Sequence, residues 1–254
     1  MKKTLLLMVY LLFITITCNA WGSLGHQLIG DISKIYINKS VSDSVEKYLG
    51  DMNWGKAAIW MDEIRSDGRY DYLKHMHYIN VEKDSMYHKT DEPNIVNELE
   101  LVMNKLKNRS NHSKEETAES LKILFHLIGD LEMPLHVGYG VDRGGNSIEV
   151  GYIDHMTNLH KVWDTELIEH YPSFKHELVL LSKTLTSAQI KDIENINVLK
   201  WMDESRALLP QVYDFKKGNI TEEYATLNKP FIVKQILYGG IRLAGVLNSI
   251  FSAS

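Results

Sequence analysis

The chain has 254 residues, of which 44% are hydrophobic and 24% are charged. This is globular composition, sufficient to bury one substantial core, and no repeat or low-complexity segment interrupts it. Its 28 Lys and Arg residues are outnumbered by 33 Asp and Glu residues, which gives a formal net charge of −5. That balance excludes a broad basic face for binding a polyanion, so any polyanion must be attracted locally, and bound divalent cations are the obvious source.

The first twenty residues have the layout of a secretory signal peptide. Lys2 and Lys3 precede an apolar run from Leu5 to Ile16, and the small residue Ala20 stands just before Trp21. The apolar run is short for a membrane span. We therefore expect residues 1–20 to be the signal and residues 21–254 to be a single domain that is secreted or periplasmic.

Cleavage before Trp21 would change the composition of the mature chain. The only cysteine of the full chain, Cys18, lies in the predicted signal, so the mature chain would form no disulfide. Its stability would come from packing or metals. Removing Lys2 and Lys3 from the 28 basic residues leaves 26 against 33 acidic ones, a formal charge of −7. A local source of positive charge would therefore be more important for binding of a polyanion by the mature chain.

Helix signals are frequent in the first half of the mature chain. Residues 21–39 predict a loop that enters an amphipathic helix, and residues 95–107 place aliphatic side chains at helical spacing. Ser113 and Glu116 form a capping box for a strongly apolar helix that Pro134 limits. These patterns predict an all-α fold.

The remainder of the chain adds one loop region and several helices. Five glycines between Gly138 and Gly151 indicate a loop with a short β-hairpin, for which residues 147–150 are the expected strand. Helical pattern resumes at residues 159–170 and continues from residue 174 to the C-terminus. Polar and glycine residues between Lys234 and Arg242 interrupt the final apolar segment, so we expect a packed helix pair there and no membrane anchor.

Two segments repeat one arrangement of metal-ligating residue types. His126 precedes Asp130 by four residues, and His160 precedes Asp164 by four. Residues four apart on a helix project from one face, so each pair could present an imidazole nitrogen and a carboxylate oxygen to one cation. An isolated His and Asp four residues apart on a helix more often form only a surface hydrogen bond or ion pair.

Further candidate ligands surround these pairs. His126 lies within an apolar run, where an uncompensated polar group is costly, and His136 follows where the chain turns back at the helix end. Upstream stand Asp62 and His77, and Trp21 with His26 would stand at the new amino terminus. Nitrogen and oxygen donors without thiolates suit zinc in a hydrolytic site better than a structural zinc site.

These motifs together resemble the zinc-dependent single-strand nucleases of the S-one/P-one type, also called 3'-nucleotidases. The resemblance extends from Trp21 through the helix of Asp164 and is weaker afterwards. It rests on Trp-Gly at residues 21–22, the run at residues 60–65, His-Tyr-Ile at 77–79, residues 125–130 leading to Pro-Leu-His at 134–136, Gly-Gly-Asn at 144–146, and Asn-Leu-His at 158–160 leading to Trp-Asp at 163–164. Eukaryotic members usually carry disulfides, so this chain is more similar to a bacterial secreted form.

The resemblance implies the fold and three bound zinc ions. The fold would be a mainly helical single domain of the phospholipase C and P-one nuclease type, with a short β-hairpin. One zinc would be held by Asp62, His77, His126 and Asp130, and a second by His136, His160 and Asp164. The third would take the amine and carbonyl of Trp21, His26 and a bridging oxygen of Asp130.

The resemblance also implies catalytic and substrate-binding residues. Asp62 would orient the nucleophile, and Arg65 would clamp the transition-state phosphate through two donors, although a surface ion pair is an equal reading of Arg65 by itself. Tyr78 would stack on a base, with core packing as its alternative. Asn80 replaces the family's base-contacting acid, which leaves the base preference open. Gly145 and Asn146 would shape one wall of the cleft.

The function implied is hydrolysis of single-stranded DNA, single-stranded RNA and 3'-nucleotides, giving 5'-phosphate products. Nucleic acids and nucleotides would be its substrates, and no stable protein partner is implied. A zinc-dependent phospholipase C is the nearest alternative, but it typically has Glu where this chain has Asp164. The other alternative is a non-catalytic secreted protein that binds zinc, against which the presence of Arg65 argues mildly.

Overall fold

The computed structural model describes residues 21–216 and 218–252, and the predicted signal peptide lies outside these residues. The first five helices are α1 (Ser23–Tyr36), α2 (Lys39–Leu49), α3 (Trp54–Glu63), α4 (Ile95–Lys107) and α5 (Lys114–Glu132). The later helices are α6 (Leu159–Lys161), α7 (Leu167–Glu169), α8 (Phe174–Ser182), α9 (Ser187–Ile193), α10 (Val198–Arg206), α11 (Leu209–Val212) and α12 (Glu222–Phe251). Short 3₁₀ segments occupy Gly68–Leu73, Arg109–Asn111, Pro134–Val137 and Gly140–Asp142. The predicted mainly helical fold is confirmed.

Helix α5 is the centre of the fold. It packs against α1, α2, α3, α4, α10 and α12, and the half of the helix nearest its C-terminus is buried on every side. Its start is the predicted capping box, in which the Ser113 hydroxyl accepts from the Glu116 amide while the Glu116 carboxylate accepts from the Ser113 amide. Polar side chains near the C-terminal end of α5 are therefore placed in the interior.

The C-terminal segment is one helix, so the predicted helix pair is wrong. Helix α12 runs unbroken through Pro230 and through the adjacent Gly239 and Gly240. A methyl group at Gly240 would overlap Ile32 of α1, and one at Gly239 would come within 3.2 Å of Ile29. The two glycines therefore permit close packing of α12 on α1 and do not end the helix.

Helix α12 is long and apolar enough to cross a membrane by length and composition alone. In its most apolar window, however, 78% of the residues are buried inside the structure. That burial is typical of a core helix, and it is the packing expected of the segment that closes the bundle over α1, α5 and α8.

A small sheet interrupts the helices. Strands β1 (Glu149–Tyr152) and β2 (His155–Asn158) form an antiparallel hairpin, and β3 (Asn219–Ile220) pairs in parallel with β1. The hairpin confirms the expected loop structure, but the first strand begins two residues after the predicted Ser147. Ser147 and Ile148 instead belong to the preceding turn, where their amides donate to the carbonyls of Asp142 and Gly145.

A buried ion pair joins α12 to α5. Arg242 of α12 donates to Glu132 of α5 at 2.6 Å, and it also contacts Glu204 of α10. The rings of Trp201 and Tyr238 each lie 5.3 Å from its guanidinium carbon. Glu132 is fully buried, so its charge depends on this arginine.

We predict that Arg242→Met lowers the free energy of unfolding by about 3–5 kcal/mol, because it leaves the Glu132 carboxylate buried without its cation. Chemical denaturation of chelator-treated protein measures this change. Arg109→Met is the matched control, since Arg109 also contacts a ring of α12, at 4.6 Å, but it is half-buried and bonds only backbone carbonyls among the described residues. Adding Glu132→Gln to Arg242→Met should restore part of the loss, and no restoration would contradict this explanation.

Candidate metal centre

Eight of the nine predicted metal ligands meet in three clusters, of which the first two share His126. The ligand atoms in each cluster lie within 4.8 Å of one another. The clusters are His26, Asp62 and His126; His77, His126 and Asp130; and His136, His160 and Asp164. They bring together residues from α1, α3, α5, α6 and the loops between them, and they are consistent with sites for more than one cation.

Asp130 joins the first two clusters and reaches toward the third. Its Oδ2 lies 3.0 Å from His77 Nδ1 and 3.3 Å from His126 Nε2, and 3.9 Å from His136 Nδ1. Its Oδ1 lies 3.2 Å from His26 Nε2, but neither of these two atoms has a hydrogen bond. A carboxylate whose two oxygens face different imidazoles can bridge two cations.

Backbone carbonyls orient three of the histidines. His126 Nδ1 lies 2.7 Å from the Ala58 carbonyl, His136 Nδ1 lies 2.6 Å from the His77 carbonyl, and His160 Nδ1 lies 2.7 Å from the Gly144 carbonyl. A carbonyl only accepts, so each Nδ1 carries the proton and donates it. In the neutral rings the lone pair is then on Nε2, and this is the usual arrangement of a metal-ligating histidine.

The electrostatics of the cluster favour neutral rings at two positions. Burial lowers the pKa of His136 to about 3, and burial together with the adjacent His126 lowers the pKa of His26. Burial would also lower the pKa of His126, but the Asp130 and Asp62 carboxylates raise it to about 9. Burial opposes ionisation of Asp130, yet His126 and His136 hold its pKa well below the usual range. The Asp130 and Asp62 carboxylates attract the proton of His126, and a bound cation would take the place of that proton.

Several buried atoms at the centre have no hydrogen-bond partner among the described residues. They include His136 Nε2, His26 Nε2, Asp62 Oδ1 and Asp130 Oδ1. The rings of His26 and His126 also stack at 4.1 Å, an arrangement in which both cannot be cationic without repulsion. Buried polar groups without partners are costly, and bound cations would compensate all of these atoms together. The residues present therefore fit a metal centre.

Trp21, the ninth predicted ligand, lies beside the centre and is fully buried. The next residue, Gly22, donates its amide to the carbonyl of Asp164 at 2.6 Å, which ties the start of the described chain to the third cluster. Behind His26, a methyl group at Gly129 would come within 2.5 Å of the imidazole Nδ1. The segment is thus held close to the cluster, while coordination by Trp21 itself stays a prediction.

Asp164 lies in a distorted part of its helix. The predicted helix at residues 159–170 contains a π-helical turn over Val162–Glu166, between α6 and α7. His160 and Asp164 nevertheless meet in one cluster, as their spacing predicted. Single π-helical turns are frequent at functional sites, because the wider turn redirects one side chain.

A cleft of about 380 Å³ opens over the second and third clusters. Its walls include the predicted substrate or catalytic residues Arg65, Tyr78, Asn80 and Asn146, together with the candidate ligands His77, His136 and His160. Tyr78 is 37% exposed, so its ring is available to the cleft and is not a core residue. Gly145 is buried behind the wall, where its amide donates to Asp142 Oδ1 at 2.9 Å.

Three further residues line this cleft without having been predicted to act there. They are Lys74, His75 and Arg143. Lys74 pairs with Asp71 at 2.6 Å, and His75 lies 3.5 Å from the Tyr78 hydroxyl. Arg143 stands directly before the Gly-Gly-Asn motif, and that adjacency is the signal in the sequence that could have indicated it.

Clustered His and Asp side chains beneath a cleft of a mainly helical fold form a site that could hold the metal ions of a hydrolase. The family model for S1/P1 nucleases matches residues 21–252. The chain therefore belongs to the S1/P1 nuclease family, as its motifs indicated, and its relatives support an endonuclease that hydrolyses ester bonds.

Individual relatives match along most of their length. Endonuclease 2 of Arabidopsis thaliana is 26% identical over 97% of this chain and 96% of its own length. Nuclease P1 of Penicillium citrinum is 26% identical over 91% of this chain and 97% of its own. Nuclease S1 of Aspergillus oryzae is 28% identical over 59% of this chain and 55% of its own.

We predict that Gly144→Ala removes metal from the His136, His160 and Asp164 cluster. Gly144 has φ of +60°, and a methyl group there would overlap the Leu135 carbonyl oxygen, so the turn that carries the acceptor for His160 must move. Metal content per chain after dialysis against zinc measures this effect.

Gly50→Ala is the matched control for this prediction. Gly50 has φ of +62°, but a methyl group there meets nothing within 4 Å. Gly50→Ala should cost only the backbone strain of a positive φ, with the metal content unchanged. Equal metal content in the two variants would show that the turn does not position His160.

Proposed function

We propose that this chain is a secreted three-zinc phosphodiesterase that cleaves single-stranded DNA, single-stranded RNA and 3'-nucleotides to 5'-phosphate products. The observation that carries the proposal is the convergence of eight His and Asp side chains, seven of them buried and several with unpartnered ligand atoms, beneath a cleft that His77, His136 and His160 line. Membership of a nuclease family supplies the reaction class.

The proposed ligand sets regroup the clustered side chains, and only the set of His136, His160 and Asp164 coincides with one cluster. Asp62, His77, His126 and Asp130 hold one zinc, and His136, His160 and Asp164 hold a second. The amine and carbonyl of Trp21, with His26 and Asp130, hold a third. Asp130 Oδ1 beside His26 and Oδ2 beside His77 support the assignment of Asp130 as the bridging ligand. Zinc in such sites supplies Lewis acidity and lowers the pKa of a coordinated water.

Two residues, Asp62 and Arg65, act on the attacking water and the reacting phosphate in this proposal. Asp62 is nearly buried and its Oδ1 has no hydrogen-bond partner, so it can accept a hydrogen bond from the attacking water and orient it. Arg65 follows α3 directly and has no carboxylate within 4 Å among the described residues, so its guanidinium is available to a phosphate. Arginine can donate two parallel hydrogen bonds to phosphate oxygens.

The same cleft accounts for a preference for unpaired strands. Tyr78 stacks on a base that has left its neighbours, and Asn80 donates to or accepts from the edge of that base. Bases in a duplex are already stacked, and their phosphates would have to reach a recessed floor. Every base can stack on an aromatic ring, so Tyr78 contributes to strand binding without strong sequence selection.

The proposal also includes secretion and cleavage of residues 1–20 before Trp21. The new α-amine becomes a donor for the third zinc, so processing completes the centre. Secreted or periplasmic placement is in keeping with the basic, apolar and small-residue layout of the first twenty residues. No membrane anchor and no stable protein partner are proposed.

We predict that protein beginning at Trp21 binds about three zinc ions and releases 5'-nucleotides from single-stranded DNA. Protein with a few extra residues before Trp21 should lose one zinc and most of its activity, because an amide replaces the donor amine. Elemental analysis and chromatography of the products measure the two quantities. The matched control is the extended protein after proteolytic removal of the extra residues, which should recover both.

Different outcomes of this experiment contradict different parts of the proposal. Two zinc ions and equal activity in both proteins would remove the third site but leave a two-metal nuclease. Cleavage of phosphatidylcholine without nucleotide release would favour a phospholipase C. Bound zinc without hydrolysis of either substrate would favour a zinc-binding protein.

Arg65 provides a second prediction. Arg65→Gln should lower kcat about 100-fold on both single-stranded DNA and 3'-nucleotides, because both place the reacting phosphate at the same guanidinium. Arg69→Gln is the matched control, since Arg69 is an exposed arginine that pairs with Asp67 at 2.6 Å and does not line the cleft. Steady-state rates settle the comparison, and an equal effect of the two substitutions would exclude Arg65 from catalysis.

A further inference from the structure

Arg143 is a positively charged side chain of the cleft that takes no part in the proposed reaction. It is exposed and lines the same cleft as Arg65, His136 and His160. Among the described residues no carboxylate lies within 4 Å of its guanidinium, whereas the cleft's Lys74 is already paired with Asp71. Arg65 and Arg143 are thus the cleft arginines whose charge is not balanced by the protein.

The acid closest in sequence to Arg143 is turned away from it. Asp142 Oδ2 accepts from the Tyr213 hydroxyl at 2.8 Å, and its Oδ1 accepts from the Gly145 amide at 2.9 Å. Both oxygens of Asp142 therefore accept hydrogen bonds from other groups, one from the turn and one from Tyr213. The adjacent guanidinium keeps its full charge toward the cleft in a chain that is acidic overall.

The backbone that carries Arg143 is firmly held. Arg143 has left-handed backbone angles, φ of 57° and ψ of 44°, which are uncommon for a residue with a side chain. Its amide donates to the Gly140 carbonyl at 3.1 Å, and its own carbonyl accepts from Asn146 Nδ2 at 2.9 Å. The next residue, Gly144, supplies the carbonyl that accepts from His160.

This turn fixes Arg143 relative to the candidate metal centre. One peptide unit separates Arg143 from the carbonyl that orients His160, so the backbone of the arginine has a set place beside the cluster of His136, His160 and Asp164. A mononucleotide carries one phosphate, whereas a nucleic acid strand carries a neighbouring phosphate on either side of the scissile one. A second fixed arginine in the cleft suits a second phosphate.

We propose that Arg143 binds the phosphate next to the scissile one and so makes the enzyme more efficient on polynucleotide strands than on mononucleotides. This inference rests on the proposed nuclease function. Arg143 acts as a positioning residue for the strand and has no part in bond cleavage. Its contribution is therefore confined to substrates that possess a flanking phosphate.

The first test compares two substrates in zinc-loaded protein. Arg143→Gln should lower kcat/KM about tenfold on a short oligothymidylate and change it less than twofold on thymidine 3'-phosphate. Arg143→Lys, which keeps the charge but not the paired donors, should fall between Gln and the wild type on the oligonucleotide. Arg69→Gln, exposed and outside the cleft, should match the wild type on both substrates.

The second test measures binding without cleavage. Binding of a fluorescent phosphorodithioate oligothymidylate, which resists hydrolysis, is followed by anisotropy over a range of salt concentrations. Loss of one phosphate contact should reduce the slope of log affinity against log salt by about 0.7 in Arg143→Gln. The slope should stay unchanged in Arg143→Lys and Arg69→Gln.

Two results would overturn the inference. An equal loss of kcat/KM on both substrates in Arg143→Gln would show that the turn acts through His160, and an unchanged salt slope would show that no phosphate is bound. If the wild-type protein hydrolyses neither substrate, the proposed function fails. The salt slope then still decides whether Arg143 binds a strand phosphate.

Discussion

The carboxylate of Asp130 is fully buried, and ring nitrogens of His26, His77 and His126 lie within 3.3 Å of it. Hydrogen bonds satisfy only part of this cluster, since Asp130 Oδ1 and His26 Nε2 face each other without one. Such a group of buried polar atoms is unfavourable unless charge is supplied at its centre. The side chains around α5 are thus arranged about positions that cations could occupy, and a metal bound there would contribute to folding as well as to chemistry.

The surrounding structure fixes this centre through the backbone. The carbonyls of Ala58, His77 and Gly144 each hold one imidazole by its Nδ1, and each comes from a different segment of the chain. The metal-facing nitrogens are therefore positioned by α3, by the extended chain after residue 76 and by the glycine turn before β1. Displacement of any of these three carbonyls would therefore move the imidazole that donates to it.

The sequence was sufficient where one local rule decides the outcome. Spacing of four residues on a helix brought His126 to Asp130, and the Ser113 capping box set the start of α5. The sequence was insufficient where tertiary packing decides the local structure. The glycines of α12 pack against α1, so they do not end the helix. The cleft position of Arg143 depends on a turn that the hydrogen bond between Tyr213 and Asp142 stabilises. These two residues are far apart in the chain, and no local pattern encodes their contact.

Cations bound at the clusters would supply local positive charge to this acidic chain, together with Arg65 and Arg143, which have no carboxylate within 4 Å among the described residues. The most direct test is an anomalous-scattering map at the zinc edge from crystals of zinc-loaded protein beginning at Trp21. We expect three peaks, the first bounded by Asp62, His77, His126 and Asp130, the second by His136, His160 and Asp164, and the third by Trp21, His26 and Asp130. A map without peaks among these side chains would contradict the account.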